Sequence, residues 1–189
     1  MSAGGQPHPA ELEPIIFLLG PSGAGKSTLG RWLAEDCGFH HIEIDRFEGD
    51  GIDLAGLRGE WNAFYLDHDV TSLAASIRDR VSSVGAAGAV LSFNSMLLLD
   101  PRAIQAAERQ SIRTIILYGP AADCLQAFLH REETMPRGLD QAHWLRHNAY
   151  SYIAHSLTEY SAHRLPTFVS GKHRARRELV AEVQSRLAW

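Results

Sequence analysis

The sequence is poor in cysteine and in lysine. Its 189 residues include two cysteines and two lysines, against sixteen arginines. Cys37 and Cys124 lie far apart and lack the CxxC or His-rich spacing of a zinc site, and two cysteines are too few for a disulfide framework. We therefore expect two reduced thiols, as in a cytoplasmic protein.

A surplus of positive charge is also absent. The net charge is −4, so the composition favours neither nucleic acid nor an anionic membrane as a partner. Residues 1–14 have neither the positive region nor the apolar stretch of a secretion signal or anchor. We expect them to be a mobile lead-in to one compact domain that spans residues 15–189.

Short apolar runs alternate with helical patterns along the rest of the chain. Near-continuous apolar strands between helices predict a parallel sheet covered on both faces. The fold class is therefore three-layer α/β/α with five strands, in the expected order 2-3-1-4-5. The predicted strands are residues 15–19, 39–44, 89–93, 114–118 and 167–169. The first predicted helix follows the glycine-rich segment after the first strand. The other predicted helices span residues 61–84, 100–110, 121–130, 140–162 and 173–187.

Residues 20–28, G-P-S-G-A-G-K-S-T, match the P-loop pattern G-x-x-x-x-G-K-[ST], and a chance match would occur on the order of once in a thousand such sequences. Glycines let successive backbone N–H groups curl toward phosphate oxygens. Lys26 adds charge near the β- and γ-phosphates, and the Ser27 hydroxyl can bind Mg²⁺. The motif predicts a P-loop NTPase fold that binds ATP and Mg²⁺. The residues expected to bind the nucleotide are Gly20, Ser22, Gly23, Ala24, Gly25, Lys26, Ser27 and Thr28.

Two motifs that other triphosphate-binding proteins use are missing. We find no N-K-x-D, which GTPases use to read the base, and no apolar strand that ends in Asp-Glu, which ATPases use to activate water. The third strand ends instead in S-F-N-S. This favours phosphoryl transfer to a bound acceptor over hydrolysis.

Asp45 follows the second strand, and ligands of open α/β sheets bind beyond the carboxyl ends of the strands. A carboxylate there can accept the proton of an acceptor hydroxyl while the γ-phosphoryl group transfers. The alternative is a turn aspartate that pairs with Arg46. Residues 46–85 are too long for one crossover helix, so they form either the acceptor-binding excursion or an exposed loop with a covering helix.

Residues 131–140 form a polar segment after a predicted helix. We expect a lid in which Arg137 closes over the phosphates and Arg131 contacts the nucleotide, because arginines on such a flap neutralise developing charge and exclude water. The alternative is a pair of arginines on a solvated loop.

Taken together, the P-loop, Asp45, Arg58, Arg137 and R-H-N-A-Y from Arg146 resemble the shikimate kinases, and the similarity spans residues 15–187. In that family the aspartate contacts the substrate hydroxyls. The resemblance also implies that Arg58 and Arg146 hold a substrate carboxylate, and that Arg137 attends the transferred phosphate.

The chain departs from that family in two places. Shikimate kinases carry Gly-Gly-Gly after the third strand, where this chain has Phe93-Asn94-Ser95, and their R-x-x-E pattern is R-G-E here. Asn94 and Ser95 either hydrogen-bond a different polyol or sugar acid, or finish a strand. The predicted function is an ATP-dependent kinase acting on a hydroxyl of a small, anionic metabolite. A nucleoside monophosphate kinase, a gluconate-type kinase and a non-catalytic ATP-binding regulator stay open, as do the use of GTP and the oligomeric state.

Overall fold

The computed structural model describes residues 13–44, 46–48, 51–53, 56–93, 100–136, 138–156 and 158–187, so the predicted lead-in falls almost wholly outside them. The strands are β1 (Ile15–Leu19), β2 (Phe39–Glu43), β3 (Arg46–Glu48), β4 (Gly51–Asp53), β5 (Gly88–Ser92), β6 (Ile112–Tyr118), β7 (Arg164–Pro166), β8 (Phe168–Val169) and β9 (Lys172–His173). The helices are α1 (Lys26–Cys37), α2 (Arg58–Asp67), α3 (Thr71–Val84), α4 (Pro101–Arg109), α5 (Ala121–Thr134), α6 (Gln141–Ser156) and α7 (Arg176–Leu187).

A parallel sheet in the order β2-β5-β1-β6-β7 forms the centre of the molecule. Numbered along the chain, these five strands stand in the order 2-3-1-4-5, so the predicted fold class is confirmed. β1 pairs with β5 on one side and with β6 on the other. All five of its residues are buried, as expected for an unbroken apolar strand at the middle of such a sheet.

Each face of the sheet is covered by helices, because successive side chains of a strand point to opposite faces. Phe17 and its neighbours on one face pack against α2, α3 and α4. Ile16 and Leu18 on the other face pack against α1, α5, α6 and α7. The carboxyl end of β1, where the glycine-rich segment begins, therefore lies between two separate cores.

The prediction of the fifth strand at residues 167–169 is wrong. The strand is β7, and Leu165 is its buried apolar residue. Pro166 is tolerated because β7 lies at the sheet edge, where a missing backbone N–H costs no ladder hydrogen bond. Residues after Thr167 form the β8–β9 hairpin instead, closed by Ser170 and Gly171 at φ 51° and 75°, a pair of left-handed residues suited to a two-residue turn.

The predicted helix at 61–84 is two helices. His68, at φ 57°, ends α2, and the Asp69 carboxylate accepts a hydrogen bond from the Thr71 N–H at the start of α3. No glycine or proline marks this break, so the sequence carries only the weak signal of an aspartate before Thr71. The β3–β4 hairpin precedes α2, so the excursion contains both a hairpin and two helices.

The remaining helix boundaries differ from the predictions in three places. The helix predicted at 140–162 ends with α6, and a 3₁₀ segment, Thr158–His163, follows it. α5 extends to Thr134, so the first residues of the predicted lid are helical. The last helix begins at Arg176 because the β8–β9 hairpin occupies the preceding residues. Within the described residues, no helix is both long and apolar enough to cross a membrane.

Candidate nucleotide-binding site

The segment between β1 and α1 forms a tight curl whose glycines have left-handed backbone angles. Gly20, Gly23 and Gly25 have φ values of 144°, 91° and 95°, which L side chains rarely adopt. Space is short as well, since a Cβ atom on Gly20 would lie 2.4 Å from the Leu117 carbonyl oxygen and one on Gly23 would lie 2.0 Å from that of Cys124. The glycines of the motif are therefore required by both conformation and packing.

Lys26 folds back over this loop. Its ammonium group donates hydrogen bonds to the carbonyl oxygens of Gly20, at 2.8 Å, and Pro21, at 3.3 Å. The positive charge thus lies across the mouth of the curl, where the predicted phosphates would sit. Backbone N–H groups and one cation are the groups from which a phosphate site of this kind is built.

The N-terminus of α1 adds to this anion site. Within the described residues no side chain caps the helix, and its first turn, K-S-T-L, contains no acidic residue. Uncapped N–H groups and the helix dipole both favour a bound anion. Ser22, Ala24 and Thr28 lie in the same curl and first turn, as the motif predicts.

Ser27 is the candidate Mg²⁺ ligand. It is the second residue of α1 and is half-buried beside the loop. Among the described residues, no group of three or more His, Cys, Asp or Glu side chains could hold a metal ion. A single hydroxyl nevertheless fits Mg²⁺ in a nucleotide site, because this ion usually takes few protein oxygens and keeps water and substrate phosphates as its other ligands.

The sequence did not reveal a second contact of the loop, which comes from α6. The Ser22 N–H donates a 2.7 Å hydrogen bond to Asn148 Oδ1, and the Ser22 carbonyl oxygen accepts a 2.8 Å hydrogen bond from Trp144 Nε1. Asn148 and Trp144 are both buried. The R-H-N-A-Y segment therefore touches the phosphate loop through its asparagine.

The β8–β9 hairpin also approaches the loop. A Cβ on Gly25 would lie 3.3 Å from the His173 ring, and that ring stacks on Phe168 with centroids 3.9 Å apart. Burial of the ring lowers the pKa of His173, while hydrogen bonds with the backbone of Thr167 and Gly23 act in the opposite direction. The Ser-Gly turn at the hairpin tip was the sequence signal that could have located this element.

Two of the predicted acceptor-binding residues, Arg58 and Arg146, are described, and both are exposed. Arg58 is the first residue of α2. Arg146 follows Trp144 by two residues, so it lies about 200° around α6 from that side chain, which contacts Ser22. Asp45, Asn94, Ser95 and Arg137 lie outside the described residues, and their roles stay predictions.

Arg131 lies in the last turn of α5. Its guanidinium group sits 5.4 Å from the centroid of the Phe128 ring and 3.7 Å from a carboxylate oxygen of Glu132. Its side chain is 43% exposed. The predicted contact of Arg131 with a nucleotide stays a prediction.

The carboxyl end of β5, which is the third strand of the five-stranded sheet, has both a packed aromatic side chain and a polar contact. Phe93, which stands where shikimate kinases have a glycine, is buried against Trp61 and Phe17, with ring centroids 5.0 and 5.1 Å away. Just before it, Ser92 Oγ lies 3.0 Å from His41 Nε2. The bulky substitution is thus absorbed by the core and by α2.

The fold and the loop together define a three-layer α/β domain with a P-loop motif between β1 and α1. No family model matches the chain. A curated shikimate kinase from Haemophilus influenzae is 36% identical over 94 residues, 47% of this chain and 52% of that protein. The chain thus spans about half the length of the curated relatives it matches.

Solved structures extend the likeness of the fold to nearly the whole chain. A shikimate kinase from Acinetobacter baumannii in complex with shikimate is 22% identical, with a TM-score of 0.54 and 94% of each chain covered. A gluconokinase from Sinorhizobium meliloti is 20% identical, with a TM-score of 0.51 and the same coverage. The resemblance to the shikimate kinases is therefore confirmed in sequence over 47% of the chain and in fold over most of it.

Proposed function

We propose that the protein is a Mg²⁺-dependent kinase that transfers the γ-phosphoryl group of ATP to a hydroxyl of a small, anionic metabolite. The observation that carries this proposal is the loop of residues 20–28, where three glycines at positive φ, the uncapped start of α1 and the Lys26 ammonium converge. The likeness to small-molecule kinases supports transfer to an acceptor.

On the nucleotide side, the backbone N–H groups of the loop bind the phosphate oxygens, and Lys26 exchanges its carbonyl partners for the β- and γ-phosphates. Ser27 would hold Mg²⁺, and the ion would supply positive charge beside the phosphates. Arg137 closes over the transferred group and excludes water, with Arg131 beside the nucleotide. The nucleotide is therefore bound by the phosphate loop on one side and by the lid on the other.

On the acceptor side, Arg58 and Arg146 bind the anionic group, since guanidinium forks match carboxylate geometry. Asp45 accepts the proton of the acceptor hydroxyl. The acceptor oxygen forms a bond to the γ-phosphorus while the bond from that phosphorus to the ADP oxygen breaks. The products are ADP and a phosphate monoester.

A gluconate-type kinase is the second candidate. The residues at and after the carboxyl end of β5 favour it over a kinase that phosphorylates shikimate. Phe93 is buried in the aromatic core, where the shikimate kinases have glycine. Asn94 and Ser95 follow it and offer amide and hydroxyl groups of the kind that hydrogen-bond a polyol or sugar acid. This strand end therefore lacks the glycines that let substrate approach the backbone in the shikimate kinases, which favours an acceptor other than shikimate.

The test is ADP release from ATP·Mg²⁺ across an acceptor panel of shikimate, gluconate and nucleoside monophosphates, with the phosphate ester identified by ³¹P NMR. We expect turnover with a sugar acid or cyclic hydroxy acid and none when Mg²⁺ is chelated. Turnover with a nucleotide acceptor alone would support a nucleoside monophosphate kinase. Tight ATP binding without turnover on any acceptor would point to a non-catalytic regulator, and a wild-type protein that binds no ATP would overturn the proposal.

A further inference from the structure

The peptide groups on either side of Ser22 are held by one face of α6. Asn148 accepts a hydrogen bond from the Ser22 N–H and donates one, at 2.8 Å, to the carbonyl oxygen of Trp144. Trp144 in turn donates to the Ser22 carbonyl oxygen. We name this closed ring of three hydrogen bonds the Ser22 clamp.

The clamp is buried and cannot easily exchange its partners for water. Asn148 is 4% exposed and Trp144 is 3% exposed. Trp144 also packs against Tyr152, one ring centroid 5.9 Å from the other. Breaking either bond to Ser22 would leave a polar group without a partner in a buried place, which costs more than the bond itself contributes.

α6 begins where the predicted lid ends. Asp140, the last lid residue, accepts hydrogen bonds from the N–H groups of His143, at 2.8 Å to its side chain, and Trp144, at 3.0 Å to its carbonyl oxygen. The clamp residue Trp144 thus lies in the first turn after the lid. Any movement of that end of the lid relative to the phosphate loop must pass through this turn.

The helix that leads into the lid is fixed to the next loop residue. Gly23 packs directly on α5, since a Cβ there would lie 2.0 Å from the Cys124 carbonyl oxygen and 3.2 Å from the Phe128 nitrogen. Consecutive residues of the phosphate loop are therefore attached to α5, whose last turn forms the start of the lid segment, and to α6, which follows the lid. A phosphate that straightens or tightens the loop acts on both ends of the lid at once.

We propose that Asn148 and Trp144 are positioning residues that hold the phosphate loop in its nucleotide-binding curvature and couple nucleotide occupancy to the lid of residues 131–140. The inference rests on the proposed function, because it requires that the loop bind ATP. It adds that α6 supports the nucleotide site through Asn148 and Trp144, which act on the phosphate loop and not on the nucleotide itself.

The test compares Asn148→Ala and Trp144→Phe with Ser151→Ala. The phenylalanine keeps an aromatic ring in the same place, but it removes the N–H donor together with part of the indole volume, so the melting temperature of this variant is measured alongside. Ser151 is a matched control, because it is fully buried on the same face of α6 and its hydroxyl makes no hydrogen bond within the described residues. ATP·Mg²⁺ affinity is measured by calorimetry, and hydrogen exchange of residues 131–140 is measured with and without saturating ATP.

We expect each clamp variant to weaken ATP binding about fivefold to tenfold, the effect of losing one buried hydrogen bond. We also expect ATP to slow exchange in residues 131–140 of the wild type and of Ser151→Ala, but less in the clamp variants at saturation. A lower melting temperature with wild-type affinity and wild-type protection of the lid would overturn the inference. If Asn148→Ala does not fold, Trp144→Phe decides alone, and wild-type protein without ATP affinity would instead remove the proposed function.

Discussion

The Lys26 ammonium group lies 2.8 Å from the carbonyl oxygen of Gly20, the first residue of the same loop. The lysine therefore bridges the beginning and the end of the segment that would surround the phosphates. A cation held by neutral carbonyl groups exchanges them readily for phosphate oxygens, because hydrogen bonds between charged groups are stronger. In the absence of nucleotide, the same contacts keep the charge aimed across the loop.

Lys26→Ala is expected to abolish tight nucleotide binding while the protein still folds. The loop glycines and α1 remain, but the only cation of the loop is lost, and we expect ATP affinity to fall by about 100-fold or more, which corresponds to two charge-assisted hydrogen bonds. Calorimetric titration with ATP·Mg²⁺ measures the change. Arg109→Ala is the charge-matched control, because Arg109 is exposed at the far end of α4. Unchanged ATP affinity in Lys26→Ala would remove the nucleotide assignment.

Gly23→Ala should disturb both the phosphate loop and its packing against α5. The new Cβ meets the Cys124 carbonyl oxygen at 2.0 Å, and the residue has φ 91°, so we expect a loss of about 1–3 kcal/mol in the free energy of unfolding together with weaker ATP binding. Gly59→Ala provides the contrast. A Cβ there has no atom within 4 Å, and the substitution in the first turn of α2 should stabilise the protein by about 0.4–1 kcal/mol, because alanine restricts the unfolded chain more than glycine does. Urea titration of both variants tests the pair, and equal effects would contradict the packing described for Gly23.

Stability should decrease as the pH falls below about 6.5, the pKa of an unperturbed histidine. Burial lowers the pKa of His41, and nearby Arg31 lowers it further, while Glu43 opposes the shift. The unfolded chain therefore takes up a proton at a pH where the folded protein does not, so protons favour unfolding. His41→Gln removes this titration, and its free energy of unfolding should change less between pH 7 and pH 5.5 than that of the wild type. Parallel pH profiles would show that His41 does not contribute.

The sequence predicted those parts of the fold in which pattern and packing agree. β1 is a buried apolar strand followed by a specific motif, so its position and the sheet order followed from simple rules. β7 was missed because only Leu165 of its three residues carries an apolar buried side chain. The break at His68 was missed because a left-handed histidine ends α2 where glycine usually stands.

The candidate site likewise has one part that local sequence patterns predict and one part that they do not. Residues 20–28 were found because every requirement of phosphate binding falls within nine consecutive residues. The contacts of Ser22 with Trp144 and Asn148 join residues 122 and 126 positions apart, and no local pattern encodes such a separation. Asn148 belongs to R-H-N-A-Y, but the resemblance to the shikimate kinases assigns a role only to the arginine of that segment, Arg146.

Arg146→Met is expected to weaken acceptor binding without affecting the nucleotide. Arg146 lies on the opposite side of α6 from Trp144 and Asn148 and is exposed, so removing its charge leaves the Ser22 clamp intact. We expect the KM for the anionic acceptor to rise about tenfold or more, as for the loss of one charged hydrogen-bonded pair, with ATP affinity unchanged. Steady-state kinetics on the best acceptor of the panel, with calorimetry for ATP, separates the two effects.

The clamp variant Trp144→Phe should show the converse pattern, with ATP binding weakened. If Arg146→Met weakened ATP and acceptor equally, the two faces of α6 would not have the separate roles assigned to them.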